Sequence, residues 1–301
     1  MSARRWTNAW VAVLGLASVS ACGGTGDPPP AGPPSPPVDE SKPAPSQAAQ
    51  PAPSAPASAA APEGSAAPVA SATPDANATQ TPAPAASAPD TGGCPAGMVR
   101  IKGGSFKLAA VKQQVTVKDY CLDVNLVTTD QYTECVKSKK CNDAAVKVCD
   151  PSTYGVEGKG NLPMICIDFT QATAYCKAQD KRLPTGEEWE WAARGGSEGW
   201  NFPWGNEPPG DQLCWSGKTK REGPCPIGSF PAGASPQGVL DLAGNVFEWT
   251  TTGNDAVSTA RFGRGGSWKD KGDEVKTGKT AVFKTTYRCG FLGIRCATSA
   301  P

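Results

Sequence analysis

The chain has 301 residues, 29 Lys and Arg against 28 Asp and Glu, and no His. Without an imidazole, Ser-His-Asp and Cys-His catalysis are excluded and the commonest zinc ligand is gone. The net charge of +1 gives no basic surface that would argue for a nucleic-acid partner.

The N-terminus carries Arg4 and Arg5, then the uncharged run Trp6 to Ala21, and then Cys22 and Gly23. That run falls short of the about 20 apolar residues a membrane-spanning helix needs. A basic start, an apolar middle and small residues before a cut describe a secretory signal. The order Val19-Ser20-Ala21-Cys22 adds a lipobox, so residues 1–22 are expected to be a lipoprotein signal peptide with Cys22 as the lipidated residue. The plainer alternative is an ordinary signal peptide with a chance Cys. Gly23 after the Cys, where Asp would favour inner-membrane retention, points to a lipid-anchored protein of the outer membrane in a bacterial cell envelope. Residues 23–93 contain no aromatic residue, no Leu, no Ile and no Cys. Such an Ala/Pro/Ser-rich segment cannot bury enough apolar area to offset its ordering entropy. It is expected to be a disordered linker, extending at about 3.1 Å per residue where Pro dominates.

Residues 94–301 hold every Cys except Cys22 and every Trp except Trp6 and Trp10, and about 200 residues suit one domain. Met98-Val99-Arg100-Ile101 predicts a strand running into the Gly103-Gly104 turn, and Val115-Thr116-Val117 a second strand. A helix is expected from Thr128 to Val136. Another is expected to open at Thr170 as N-cap and to contain Ala172, Ala174, Tyr175 and Cys176. A third starts at Thr185, with Glu188 completing a capping box, and stops at Arg194-Gly195-Gly196, where Gly takes the left-handed conformation. Arg182 and Arg194 lie close in sequence to Glu187, Glu188 and Glu190, as ion pairs or as a solvated helix face. The remainder is rich in Gly, Pro and Trp and shows little periodicity. This pattern predicts an irregular α+β domain held by turns, aromatic packing and disulfides.

The eleven Cys of residues 94–301 lie in an exported segment, where disulfides form. There is no Cys-x-x-Cys spacing and no His to support a zinc cluster instead. Cys135/Cys141, Cys149/Cys166 and Cys214/Cys225 are plausible local staples. Because eleven is odd, one thiol is left over.

Three long runs carry a specific order of Gly, Trp and charge. They are Arg182-Leu183-Pro184-Thr185-Gly186-Glu187-Glu188-Trp189-Glu190-Trp191, Gly244-Asn245-Val246-Phe247-Glu248-Trp249 and Arg264-Gly265-Gly266-Ser267-Trp268. With Gly97 to Phe106, Asp123 to Tyr132, Phe202-Pro203-Trp204-Gly205 and Gly293-Ile294-Arg295-Cys296, they closely resemble the formylglycine-generating enzyme (sulfatase-modifying factor) family. The resemblance runs from about Gly97 to Ala297. It implies that family's irregular, C-type-lectin-like α+β fold, stapled by disulfides and here placed after a disordered linker. It also implies a disulfide between Cys176 and Cys296. The family's usual partner for Cys289 falls at Ala193, which makes Cys289 the candidate for the odd thiol.

The resemblance implies an oxidase that converts a sulfatase Cys to formylglycine, with copper(I) held by two thiolates, the soft ligands that ion prefers. In the family these Cys stand three and eight residues past the Ser of the Gly-Gly-Ser run. Those positions here are Asp270 and Val275. Counting back from Cys289 lands on Lys279 and Lys284, which are no better. Copper is therefore not expected. A structural calcium ion is implied instead, held by the Asp241 and Glu248 carboxylates and the Gly244 and Val246 carbonyls, since oxygen ligands from a turn suit calcium. Arg264, Ser267 and Trp268 are expected to line the groove. A family branch that assists iron-dependent sulfur transfer carries a His-rich iron domain, which a chain without His cannot supply. The leading expectation is a non-catalytic envelope protein that binds an extracytoplasmic peptide, glycan or protein partner. The alternative is an oxidase with a divergent site.

Overall fold

The computed structural model describes residues 91–301, apart from residues 111, 144–145, 147–148 and 254–258. The expected signal peptide, Cys22 and residues 23–90 of the linker lie outside the described residues. Its last three residues, 91–93, are already tied to the domain: Cys94 N donates to Thr91 O at 2.7 Å and Arg100 Nη1 to Gly92 O at 3.4 Å. No helix among the described residues is long and apolar enough to cross a membrane.

The described residues build nine short strands and three α-helices. Strands β1 (Met98–Ile101), β2 (Gly104–Lys107), β3 (Gln114–Val117) and β4 (Tyr120–Asp123) come first. Helices α1 (Thr129–Lys137), α2 (Phe169–Ala178) and α3 (Gly186–Ala193) follow, then β5 (Phe247–Trp249), β6 (Ala260–Arg264), β7 (Thr280–Lys284), β8 (Leu292–Gly293) and β9 (Ala297–Ser299). They form three small sheets. In the first, the order is β1-β4-β9, so the last strand pairs with β4, Leu122 opposite Ala297. β2 and β3 make an antiparallel hairpin. The third sheet runs β7-β6-β5-β8, with β5 and β8 parallel.

Each helix begins at a reciprocal capping box, which satisfies two backbone N–H groups the helix itself leaves open. Thr128 pairs with Gln131 and Thr185 with Glu188, at helix starts the sequence marks. The second helix differs from expectation. Its cap is Asp168, bonded to Gln171 N at 2.8 Å, and Thr170 sits inside the helix. Asp also satisfies N-cap chemistry, and Gln three residues on closes the box. The left-handed stop after α3 is present, with Gly195 at φ 70°.

Tryptophans from different segments join the core and each finds a polar partner for its ring N–H, as a buried indole requires. Trp191 donates to Lys102 O at 2.7 Å, Trp189 to Glu248 Oε2 at 2.8 Å and Trp249 to Ile167 O at 3.2 Å. One cluster gathers Val99, Ile101 and Leu122 around Trp189 and Trp191. Another packs Trp249, Phe247, Phe283 and Leu292 against Tyr132 and Tyr175 from α1 and α2. Five disulfides hold the irregular segments: Cys94–Cys121, Cys135–Cys141, Cys149–Cys166, Cys176–Cys296 and Cys214–Cys225. The three local staples and the long Cys176–Cys296 link agree with expectation. The Cys94–Cys121 bond, which ties the segment before β1 to β4, is the one the sequence did not single out.

Candidate functional site

The segment after β6 occupies the place where the family resemblance puts its chemistry. Gly265 and Gly266 have φ of 97° and 72°. A Cβ on Gly265 would lie 3.1 Å from Trp189 Cζ2, and one on Gly266 2.8 Å from Glu274 O. These glycines let the chain turn tightly under the Trp189 ring and present Ser267. The Ser267 hydroxyl donates to Asp270 Oδ2 at 2.7 Å and accepts from Lys269 N at 3.3 Å. Burial pushes the Asp270 carboxyl above its usual range, opposed by the Ser267 hydrogen bonds. Val275, the last residue of the short 3-10 turn Gly272–Val275, is fully buried.

Arg264, Ser267 and Trp268 do not line an open groove, which corrects the sequence expectation. They are 0%, 1% and 5% exposed. The Arg264 guanidinium is locked inside, bonded to Glu190 Oε2 at 2.7 Å, Thr280 Oγ1 at 2.7 Å and Gly186 O at 3.1 Å. Burial lowers its pKa and the Glu190 charge opposes the shift. Trp268 Nε1 donates to Gly290 O at 3.0 Å. The residue that reaches solvent there is Lys269, whose ammonium lies 5.1 Å from the Phe291 ring centroid and 5.6 Å from that of Trp268. Physically, an Arg between two acidic-helix residues and a Gly-Gly turn is a structural bolt. Glu190, its partner, is only 1% exposed, and its place on the buried side of α3 was the missed signal. Arg182 bonds both oxygens of Glu188, at 2.6 and 2.7 Å, so this charge-rich helix is paired to its surroundings on two sides.

The donor set does not fit copper(I). The two family positions hold a hard carboxylate, already bonded to Ser267, and a buried hydrocarbon. Ten of the eleven Cys in the domain are in disulfides, and the eleventh, Cys289, is buried.

The calcium expectation also meets a misfit. Glu248 accepts from Arg295 Nε at 2.9 Å and Arg295 Nη2 at 2.8 Å, and its Oε2 also takes Trp189 Nε1. Both side chains of the pair are fully buried. Asp241 Oδ2 accepts from Gly228 N at 2.8 Å, and burial pushes the Asp241 carboxyl up. Among the described residues no cluster of three or more acidic or Cys side chains converges as a metal site. With Glu248 committed to Arg295, the remaining Asp241 carboxylate and two carbonyls fall well short of the six to eight oxygens calcium takes. The cation this turn meets is Arg295 of the Gly293-Ile294-Arg295-Cys296 run, whose partner the sequence did not reveal.

A cavity of about 600 Å³ lies elsewhere, among β4, α1 and α2. Asp123, Lys181 and Tyr175 stand in its wall, with Lys181 Nζ 2.6 Å from Asp123 Oδ1. None of the residues nominated for metal or groove lines it. Cys296 of the Cys176–Cys296 bond does.

The three small sheets, the three capped helices and the Trp-rich turns define an irregular, C-type-lectin-like α+β domain. Solved structures of the same fold include CarF (TM-score 0.58, 17% identity, covering 68% of this chain and 98% of that one) and PvdO from Pseudomonas aeruginosa (TM-score 0.56, 20% identity, covering 67% and 94%). Residues 84–300 match the sulfatase-modifying factor enzyme 1-like domain, and the chain belongs to that family. Among its relatives, the inactive C-alpha-formylglycine-generating enzyme 2 of Bos taurus is 30% identical over 269 residues, covering 67% of this chain and 88% of the relative. The formylglycine-generating enzyme of Mycobacterium tuberculosis is 27% identical over 222 residues, covering 52% and 73%.

Proposed function

We propose that this protein is a non-catalytic member of the family, lipid-anchored at Cys22 in the outer membrane of the cell envelope, whose domain binds an extracytoplasmic peptide, glycan or protein. One observation carries the non-catalytic part. A two-thiolate copper centre needs two thiols, and disulfides consume every Cys of residues 94–301 except the buried Cys289. The similarity to a relative named as inactive supports the same reading. The anchor rests on the lipobox at Cys22, and the Pro-rich spacer gives a tethered domain reach.

The test is incubation of the full chain with copper, oxygen and a reporter peptide containing Cys-x-Pro-x-Arg, followed by mass spectrometry. The expected spectrum is the unchanged peptide. Loss of sulfur with gain of an aldehyde would establish the other reading, an oxidase with a divergent site. For the anchor, the expected result is an acylated N-terminal Cys22 peptide from the membrane fraction. A cleaved, unacylated N-terminus overturns that part.

A further inference from the structure

We infer that the cavity among β4, α1 and α2 is a binding site for an uncharged, hydroxyl-rich ligand of saccharide type. The inference rests on the binding-module reading and narrows it to one site and one ligand class. The volume, about 600 Å³, lies within the roughly 300–1,000 Å³ of small-molecule sites and far exceeds what a single ion needs. Its charged groups balance: two acids, Asp123 and Glu134, and two ammoniums, Lys140 and Lys181. Asp123 is paired with Lys181 at 2.6 Å, and Glu134 with Lys137, outside the wall, at 2.7 Å, which leaves Lys140 as the wall's one ammonium with no acid at ion-pair distance among the described residues. The ends of α1 and α2, at the caps Ser138 and Gln179, also face this space. Helix C-termini disfavour anions, so the wall attracts neither a strong anion nor a strong cation.

What the wall offers is hydrogen bonding in both senses. Asn125 and Gln179 each present an amide with both donors and an acceptor, and Tyr175 a hydroxyl. None of these three side-chain groups makes a hydrogen bond to another described residue. The Tyr175 ring is 5% exposed and stacked on Tyr132 at 5.6 Å, so its hydroxyl is held by a fixed platform. Burial and the Asp123 charge push that hydroxyl's pKa up to about 12, keeping it a neutral donor. Two ammonium protons of Lys181 remain beyond its bond to Asp123. Ile227, half-buried, supplies apolar area against which the C–H face of a sugar ring packs, backed by the buried Leu126 and Val127. Hydroxyls that donate and accept at once match this set, which a purely apolar or purely ionic ligand does not.

The experiment is titration of the full chain with chitotetraose, maltotetraose and cellotetraose, with tetragalacturonate and an end-blocked alanine tetrapeptide as counterparts. Binding is followed by calorimetry, and by NMR of the Asn125 and Gln179 side-chain amides. At least one neutral tetrasaccharide is expected to bind with Kd of about 1 mM or tighter and to shift both amides. Tyr175→Phe and Gln179→Ala are each expected to weaken it roughly three- to tenfold, the worth of one hydrogen bond. Lys218→Glu, on another face, is expected to leave it unchanged. The inference is overturned if no neutral saccharide binds, if binding leaves the two amide signals in place, if neither variant weakens it, or if the galacturonate or the tetrapeptide binds tighter. Because NMR on the native chain locates the site, a variant that fails to fold does not blunt the test. Absence of saccharide binding together with an unaltered reporter peptide would sink this inference alone. Conversion of the reporter to aldehyde would sink the non-catalytic reading instead.

Discussion

The Ser267 hydroxyl donates to the Asp270 carboxylate across 2.7 Å, at the first position where the family has a copper-binding thiolate. Burial pushes the Asp270 carboxyl above the usual carboxylate range. The folded state thus holds the proton more tightly than the unfolded chain, and stability falls as pH rises. The contribution is fully present below about pH 4, the unfolded value, and is lost as pH climbs through the folded pKa. Asp270→Asn keeps an acceptor for Ser267 and removes the titration. Thermal melts of the two proteins across pH are expected to converge below about pH 4, with the wild type falling behind at higher pH. Parallel curves would show that Asp270 does not titrate as its burial requires.

Cys289 makes a second, independent check on the thiol count. It is 1% exposed and outside the five disulfides. A thiol reagent added to the native, unreduced protein is expected to label no Cys within residues 94–301. After unfolding without reductant, peptide mapping should find a single label, on Cys289. Two labelled Cys would restore the pair a copper centre needs.

Much of this fold was legible in the sequence because its signals are local. Thr128 and Thr185 mark helix starts through a side chain that reaches only three residues, and Gly195 and Gly265 mark turns through their own φ. The short-loop disulfides follow the same rule of proximity. Asp168 was missed because Thr170, two residues on, is an equally acceptable cap by type. The site was less legible because its partners are distant in the chain. Glu248 meets Arg295, and Arg264 meets Glu190 across 74 residues. The composition of the Gly-Gly-Ser-Trp run does not say whether that surface is open or closed. The cavity was invisible for the same reason: Asp123, Tyr175 and Lys181 come together only when β4 and α2 pack.

The two kinds of disulfide should differ in worth. Cys176–Cys296 closes 120 residues and Cys135–Cys141 closes 6. On chain-entropy grounds the first limits the unfolded chain more, by about 5 kcal/mol against about 2 kcal/mol. Replacing each pair by Ser is therefore expected to lower the denaturation free energy more for Cys176/Cys296, measured by urea titration. Equal losses would mean that native packing around the bonds, not loop length, sets their contribution.

Arg295 and Glu248 decide whether the turn before β5 needs a metal. Besides both oxygens of Glu248, the guanidinium donates to Asp123 O at 3.0 Å, Val124 O at 2.9 Å and Leu240 O at 2.7 Å. Removing it by Arg295→Met strands a fully buried carboxylate, at a cost of about 3–5 kcal/mol. Adding Glu248→Gln should recover part of that loss. Arg295→Lys should not restore stability, because three donors cannot serve five bonds in a fixed fork. With this pair intact, calcium has no vacant carboxylate at Glu248. Ligand linkage makes the consequence measurable, since a bound ion at about 100 times its Kd adds about 2.7 kcal/mol to stability. Melts in millimolar calcium and in EDTA are expected to coincide. A clear upward shift with calcium, absent in Asp241→Ala, would mean that the ion displaces Arg295 from Glu248 and that the turn is a calcium site after all.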